Sequence, residues 1–144
     1  MKKDTQLKQL FFWIMMLILP FLLQAKPYVS NNGVVADIKT NLHWIKSWNS
    51  DWDTNRFDWH GALNYCENLV FAGQSSWRLP NIKELSSIID RTQVYPAIDT
   101  EAFDQAQGDA RYWSSTPGWI VDLAEGSVST ASTTSQYFSK CVRH

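Results

Sequence analysis

Cysteine and histidine are scarce in this chain of 144 residues, with two Cys and three His. The cysteines form no Cys-x-x-Cys pair, and His43, His60 and His144 stand far apart, so neither a zinc site nor a dithiol redox motif is encoded. There is no Gly-x-Ser-x-Gly elbow to carry a serine nucleophile. No basic stripe exists either: Arg56, Arg78, Arg91, Arg111 and Arg143 are scattered, and the net charge is −1. That balance excludes ordinary nucleic-acid binding, which needs clustered cations against phosphate. No internal repeat and no long linker divides the sequence.

The longest apolar run, Leu10 to Leu23, is shorter than the roughly 20 residues of a membrane-spanning helix. Lys2, Lys3 and Lys8 precede it and Gln24-Ala25-Lys26 follows, the layout of a secretory signal peptide. Residues 1–25 are therefore expected to be a cleaved signal, and residues 26–144 a single exported domain. Contact with a membrane is expected only through the signal segment, if it is left uncleaved. Its removal takes away three lysines against Asp4 alone, so the remainder is the more acidic part. It is destined for the periplasm or the cell exterior. In such an oxidising space Cys66 and Cys141 are expected to form a disulfide, and closing so long a loop is worth about 4 kcal/mol in the chain-entropy account.

Two strands are predicted over Tyr28 to Asp37 and Leu42 to Trp48, joined by the polar turn Ile38-Lys39-Thr40-Asn41. A polar stretch, Asn49 to Arg56, leads to a helix capped by Asp58. Trp59, Ala62, Leu63, Cys66 and Leu69 recur in it at helical spacing. Pro80 then ends an extended piece, Asn81 is a good N-cap, and Glu84 sits where a capping box needs it. The second helix carries Ile82, Leu85, Ile88 and Ile89 and fades at Asp90-Arg91, with Pro96 barring continuation. Val94 to Arg111 reads as loop with one helical turn near Thr100 to Gln105. Short strands follow over Tyr112 to Ser115, Trp119 to Leu123, Ser127 to Thr130 and Tyr137 to Arg143. Two helices flanked by strands define an α+β domain.

The segments Ala62-Leu63-Asn64-Tyr65-Cys66, Trp77-Arg78-Leu79-Pro80 with Glu84-Leu85, Tyr112-Trp113-Ser114-Ser115 and Cys141-Val142-Arg143 occur in that order. In them the chain resembles the Lcl C-terminal domain family, a bacterial exported module named for a collagen-like adhesin, over about residues 33 to 143. The resemblance implies a C-type-lectin-like fold, related also to formylglycine-generating enzymes. Two helices would pack on short antiparallel strands, with the termini adjacent. It also implies a bond from the first helix to the last strand, where Cys66 and Cys141 fall, and a role in adhesion or glycan recognition. Asn41 and Ser76 replace residues common in the family. The collagen-like Gly-X-Y stalk is missing, as are the Glu-Pro-Asn and Trp-Asn-Asp motifs of calcium-dependent lectins.

Asp51, Asp53 and Asn55 match the first half of a calcium loop, but Arg56 replaces the turn glycine and Ala62 the final carboxylate. No metal or other cofactor is therefore expected. Trp48 and Trp52 bracket that loop. Their rings, with Asp51, Asp53, Asn55 and the separate Trp119, are the candidate ligand contacts, since aromatic faces beside a few polar groups suit a sugar. Trp44, Trp59, Tyr112, Trp77 and Trp113 are read as core or near-core. Arg78 is read as a partner for a structural carboxylate or for exposed carbonyls. No catalytic residue is nominated, because a disulfide would consume the thiols that oxidase chemistry requires. The expected function is a non-enzymatic binding module for a glycan or a cell-surface or envelope protein. A structural component of an envelope complex is the alternative.

Overall fold

The computed structural model describes residues 27–46, 56–104 and 110–144. The strand expected over Tyr28 to Asp37 is in fact a hairpin of β1 (Tyr28–Asn31) and β2 (Val34–Asp37). Asn32 and Gly33 turn the chain with φ of 49° and 77°, the doubly positive pair that a tight two-residue hairpin needs. Gly33 is also pressed by a neighbour: a Cβ there would lie 2.8 Å from the Phe71 ring. The Asn-Gly signal outweighs the β-propensity of the residues around it.

The second turn forms where expected. The Asp37 carboxylate accepts from the Lys39 N–H at 2.9 Å and the Thr40 hydroxyl at 2.6 Å, and β3 (Leu42–Ile45) follows. Of the rest of the expected strand, Lys46 lies past the end of β3, and Ser47 and Trp48 lie outside the described residues. Helix α1 (Trp59–Glu67) starts at Asp58, whose side chain accepts from Gly61 N–H at 2.7 Å, and closes at Asn68.

Helix α2 (Ile82–Ser87) has the full capping box: Asn81 accepts from Glu84 N–H at 2.9 Å, and Glu84 accepts from Asn81 N–H at 2.9 Å. It stops earlier than the apolar pattern suggested, with Ile88 as its C-cap. Ile88 is still buried, so the pattern had reported burial beyond the helix. Near Thr100 the expected helical turn reduces to one bond, Phe103 N–H to the Asp99 carbonyl.

Strands β4 (Arg111–Trp113), β5 (Trp119–Asp122) and β6 (Ser127–Thr130) form an antiparallel sheet in chain order. Of the expected strand Tyr137 to Arg143 only β7 (Val142–Arg143) is regular; Tyr137 and Phe138 make single bridges to Phe57 and Tyr112. The other sheet runs β1-β2-β3-β7, all antiparallel, so the first and last strands of the domain share one sheet. Arg78 exchanges two backbone bonds of 2.9 Å with Val142 and covers the outer side of β7.

Two hydrophobic clusters fill the interior. Val35, Trp44 and Val142, in register across β2, β3 and β7, join Leu85, Phe103, Tyr112 and Val121 in the first. Ala62, Cys66, Trp77, Leu79, Trp113, Ile120 and Cys141 form the second. Trp44, Trp77, Trp113 and Tyr112 are fully buried, as expected of core rings, and Trp59 is half-buried with its indole N–H on the Ser114 carbonyl at 2.9 Å. Truncating rings of this size to Ala costs about 3–5 kcal/mol each.

The disulfide between Cys66 and Cys141 joins α1 to the residue before β7, with the Cα atoms 5.5 Å apart. Replacing both cysteines by Ala is expected to lower unfolding stability by about 3–4 kcal/mol. Urea unfolding of the two forms measures the difference, and equal midpoints would show that the bond constrains nothing.

Candidate functional site

The turn at the end of α2, held by the Asp90 side chain, shapes a concavity on the surface. Asp90 accepts from the Thr92 N–H at 2.9 Å, the Thr92 hydroxyl at 2.6 Å and the Gln93 amide at 2.9 Å. Those donors, the Thr92 hydroxyl foremost, hold its carboxyl below the usual range. Gln93 also donates to the Ile98 carbonyl at 3.0 Å, and Tyr95 and Ala97 donate to the Ala124 and Leu123 carbonyls at 2.8 Å. The loop after α2 is thereby docked on the end of β5.

Against this loop the β1–β2–β3 register brings Tyr28 and Lys39, leaving a cleft of about 520 Å³. A smaller recess of about 140 Å³ lies toward Glu125 and Gly126, and Ile89, Asp90 and Arg91 line both. Tyr28 packs edge-on against Phe103 with centroids 5.1 Å apart. Burial first, then the charges of Asp37, Asp99 and Asp90, push its phenol up to about 12, so it stays a hydrogen-bond donor at any physiological pH.

The acids of the cleft are occupied. Asp90 serves its own turn, and Asp99 accepts from the Glu101 and Ala102 N–H groups at 2.9 and 3.2 Å. Lys39 and Arg91 have no ion-pair partner among the described residues and are both exposed. A largely polar lining with a phenol donor and two exposed cations suits a hydroxyl-rich or weakly charged ligand. Among the described residues no group of three His, Cys, Asp or Glu could hold a metal ion.

Of the residues nominated from the sequence, Trp119 is 39% exposed beside Thr130. It stands at the far end of the β5–β6 hairpin from the cleft, so the two are separate surfaces. Trp48, Asp51, Trp52, Asp53 and Asn55 lie outside the described residues. Arg78 is committed inward: it donates two bonds of 2.8 Å to Glu84, holding that carboxyl below the usual range, and its guanidinium lies 3.3 Å from His144. The cleft residues carried one legible signal, the Asp-x-Thr turn at Asp90. Nothing local links Tyr28 or Lys39 to it.

With this geometry in place, the described residues form a disulfide-bridged α+β domain of two antiparallel sheets and two helices. The sequence profile of the Lcl C-terminal domain matches residues 33–143, and the chain belongs to that family. No curated protein and no solved structure matches it. No described helix is long and apolar enough to cross a membrane.

Lys140 is buried beside the bridge. Its Nζ donates to the Lys46 carbonyl at 3.2 Å and lies over Phe103 and Tyr112, at 5.2 and 5.9 Å from the ring centroids. Burial pushes its pKa down from 10.5 to about 8, with the charge of Asp104 opposing. Between those values the unfolded chain holds a proton that the folded chain lacks, so stability rises with pH across that window. Below pH 8 the buried cation exerts its full cost, about 3 kcal/mol for a shift of this size. Lys140→Met removes the titration. Its stability advantage over the parent is expected to shrink from pH 8 to 10.5, and parallel pH profiles from denaturant melts would disprove the buried cation.

Proposed function

We propose that this protein is an exported, non-enzymatic binding module with a C-type-lectin-like fold, acting on a glycan or another surface ligand. Support for the fold comes from the bond between the first helix and the segment of the last strand, and from β1 and β7 lying in one sheet. The cleft between Tyr28, Lys39 and Asp90-Arg91 carries the functional reading, because it offers cations and a phenol donor that no hydrogen bond or ion pair among the described residues consumes. The non-enzymatic reading is supported by the cysteines, both of which are in the bridge, leaving no free thiol for an oxidase. Export is supported by the leader-like residues 1–25 and the same disulfide.

A second reading, a component of an envelope protein complex, is favoured by Val94 and Tyr95. Val94 lines the smaller recess and is 64% exposed, and its neighbour Tyr95 is 74% exposed. Exposed adjacent apolar side chains of this kind suit a protein surface better than a sugar.

Glycan-array binding followed by calorimetric titration tests the first reading. A saturable glycan is expected, and Lys39→Ala with Arg91→Ala is expected to weaken it about tenfold, or about 1.4 kcal/mol. Trp119→Ala is expected to leave affinity unchanged if the cleft is the site. No saturable glycan, together with one stoichiometric partner captured from the envelope fraction, would transfer the assignment to the second reading.

A further inference from the structure

The sheet β4-β5-β6 is closed on one side and open on the other. Beyond β4, Phe138 donates to the Arg111 carbonyl at 3.0 Å and accepts from the Trp113 N–H at 2.9 Å, so that edge is covered. Beyond β6 no described residue pairs, and Ser127, Val128, Ser129 and Thr130 are all exposed. The Ala131 N–H bonds the Gly118 carbonyl at 2.8 Å, which sets the alternation: Ser127 and Ser129 point their backbone groups at β5, while Val128 and Thr130 point theirs outward.

Edge strands are normally protected by charge, proline or a bulge. From Gly126 to Ser139 this chain has no charged residue and no proline, and the β5–β6 register is unbroken. The other free edge, β1, follows directly on Pro27. Val128 and Thr130 share a face with Trp119, and Val128 is 38% exposed, so an apolar row runs up to the open edge.

We propose that β6 pairs antiparallel with β6 of a second copy of this chain, about a two-fold axis through Ser129. In that register Val128 lies opposite Thr130 of the partner copy, and their outward N–H and C=O groups make four main-chain hydrogen bonds. Both sheets then merge into six strands with the Trp119 row continuing across the junction. Ser129 faces its own equivalent, and because the segment is uncharged, no like-charge repulsion arises at the axis in a net acidic chain. A second copy fits better than a flexible peptide. Only two residues present outward bonds, too few to offset the ordering entropy of an unstructured segment, whereas β6 is already an extended strand.

Sedimentation and amide exchange on the purified chain test this. A reversible dimer is expected between micromolar and millimolar concentration, with exchange at Val128 and Thr130 slowing about tenfold or more as it forms. Ser129→Lys and Ser129→Glu alone are each expected to remain monomeric where the parent dimerises, and their mixture to restore a dimer. Circular dichroism verifies that each variant is folded. Thr130→Pro, which removes only an outward donor, serves as a second variant and is expected to be monomeric. A parent that stays monomeric with concentration-independent exchange overturns the proposal. So does dimerisation unaffected by Ser129→Lys, or protection of β6 that appears only when an extended peptide is added.

Discussion

Residues Lys140 to Val142 pass between the two hydrophobic clusters, and the bond from Cys141 to Cys66 fixes that passage. Val142 contributes to the first cluster, Cys141 to the second, and the Cys141 carbonyl accepts from Ile45 N–H at 3.1 Å. Through this one segment α1, β3, β7 and the Arg78 edge are held in fixed relation. The placement has a cost, since it buries the Lys140 ammonium among aromatic rings. A carbonyl acceptor and the ring faces of Phe103 and Tyr112 only partly replace the water it loses.

The Trp77-Arg78-Leu79-Pro80 segment serves the same architecture. Trp77 and Leu79 enter the second cluster, the Arg78 backbone extends the sheet beside β7, and the Arg78 side chain reaches forward to Glu84. Glu84 is at once the capping acid of α2 and the acceptor for Arg78, so helix start and sheet edge are tied through one carboxylate. This explains why an Arg at so recognisable a motif is unavailable to a ligand. The exposed features are peripheral: the cleft after α2, the Trp119 ledge and the open edge of β6.

Those surfaces lie at places where the chain satisfies itself incompletely. The carboxylates near the cleft are spent on local turns, which leaves Lys39 and Arg91 without an ion-pair partner among the described residues. At β6 the outward backbone groups of Val128 and Thr130 have no partner among the described residues. The smaller recess lies at the turn of the β5–β6 hairpin, and the unpaired edge runs along its β6 strand.

Local physical chemistry settled the caps at Asp58 and Asn81, the turn after Asp37, the burial of Trp44, Trp77, Trp113 and Tyr112, and the pairing of the two cysteines. Each of these depends on residues adjacent in sequence or on a choice with one partner available. The Asn32-Gly33 hairpin was equally local, yet the strand propensity on either side masked it. The cleft was different in kind. Tyr28 and Lys39 reach Asp90 and Arg91 only because three strands stack in register and the loop after α2 docks on β5, contacts between residues far apart in the chain. No periodicity or motif encodes such a meeting, so the scaffold was legible from the residues and the position of its free surfaces was decided by tertiary packing.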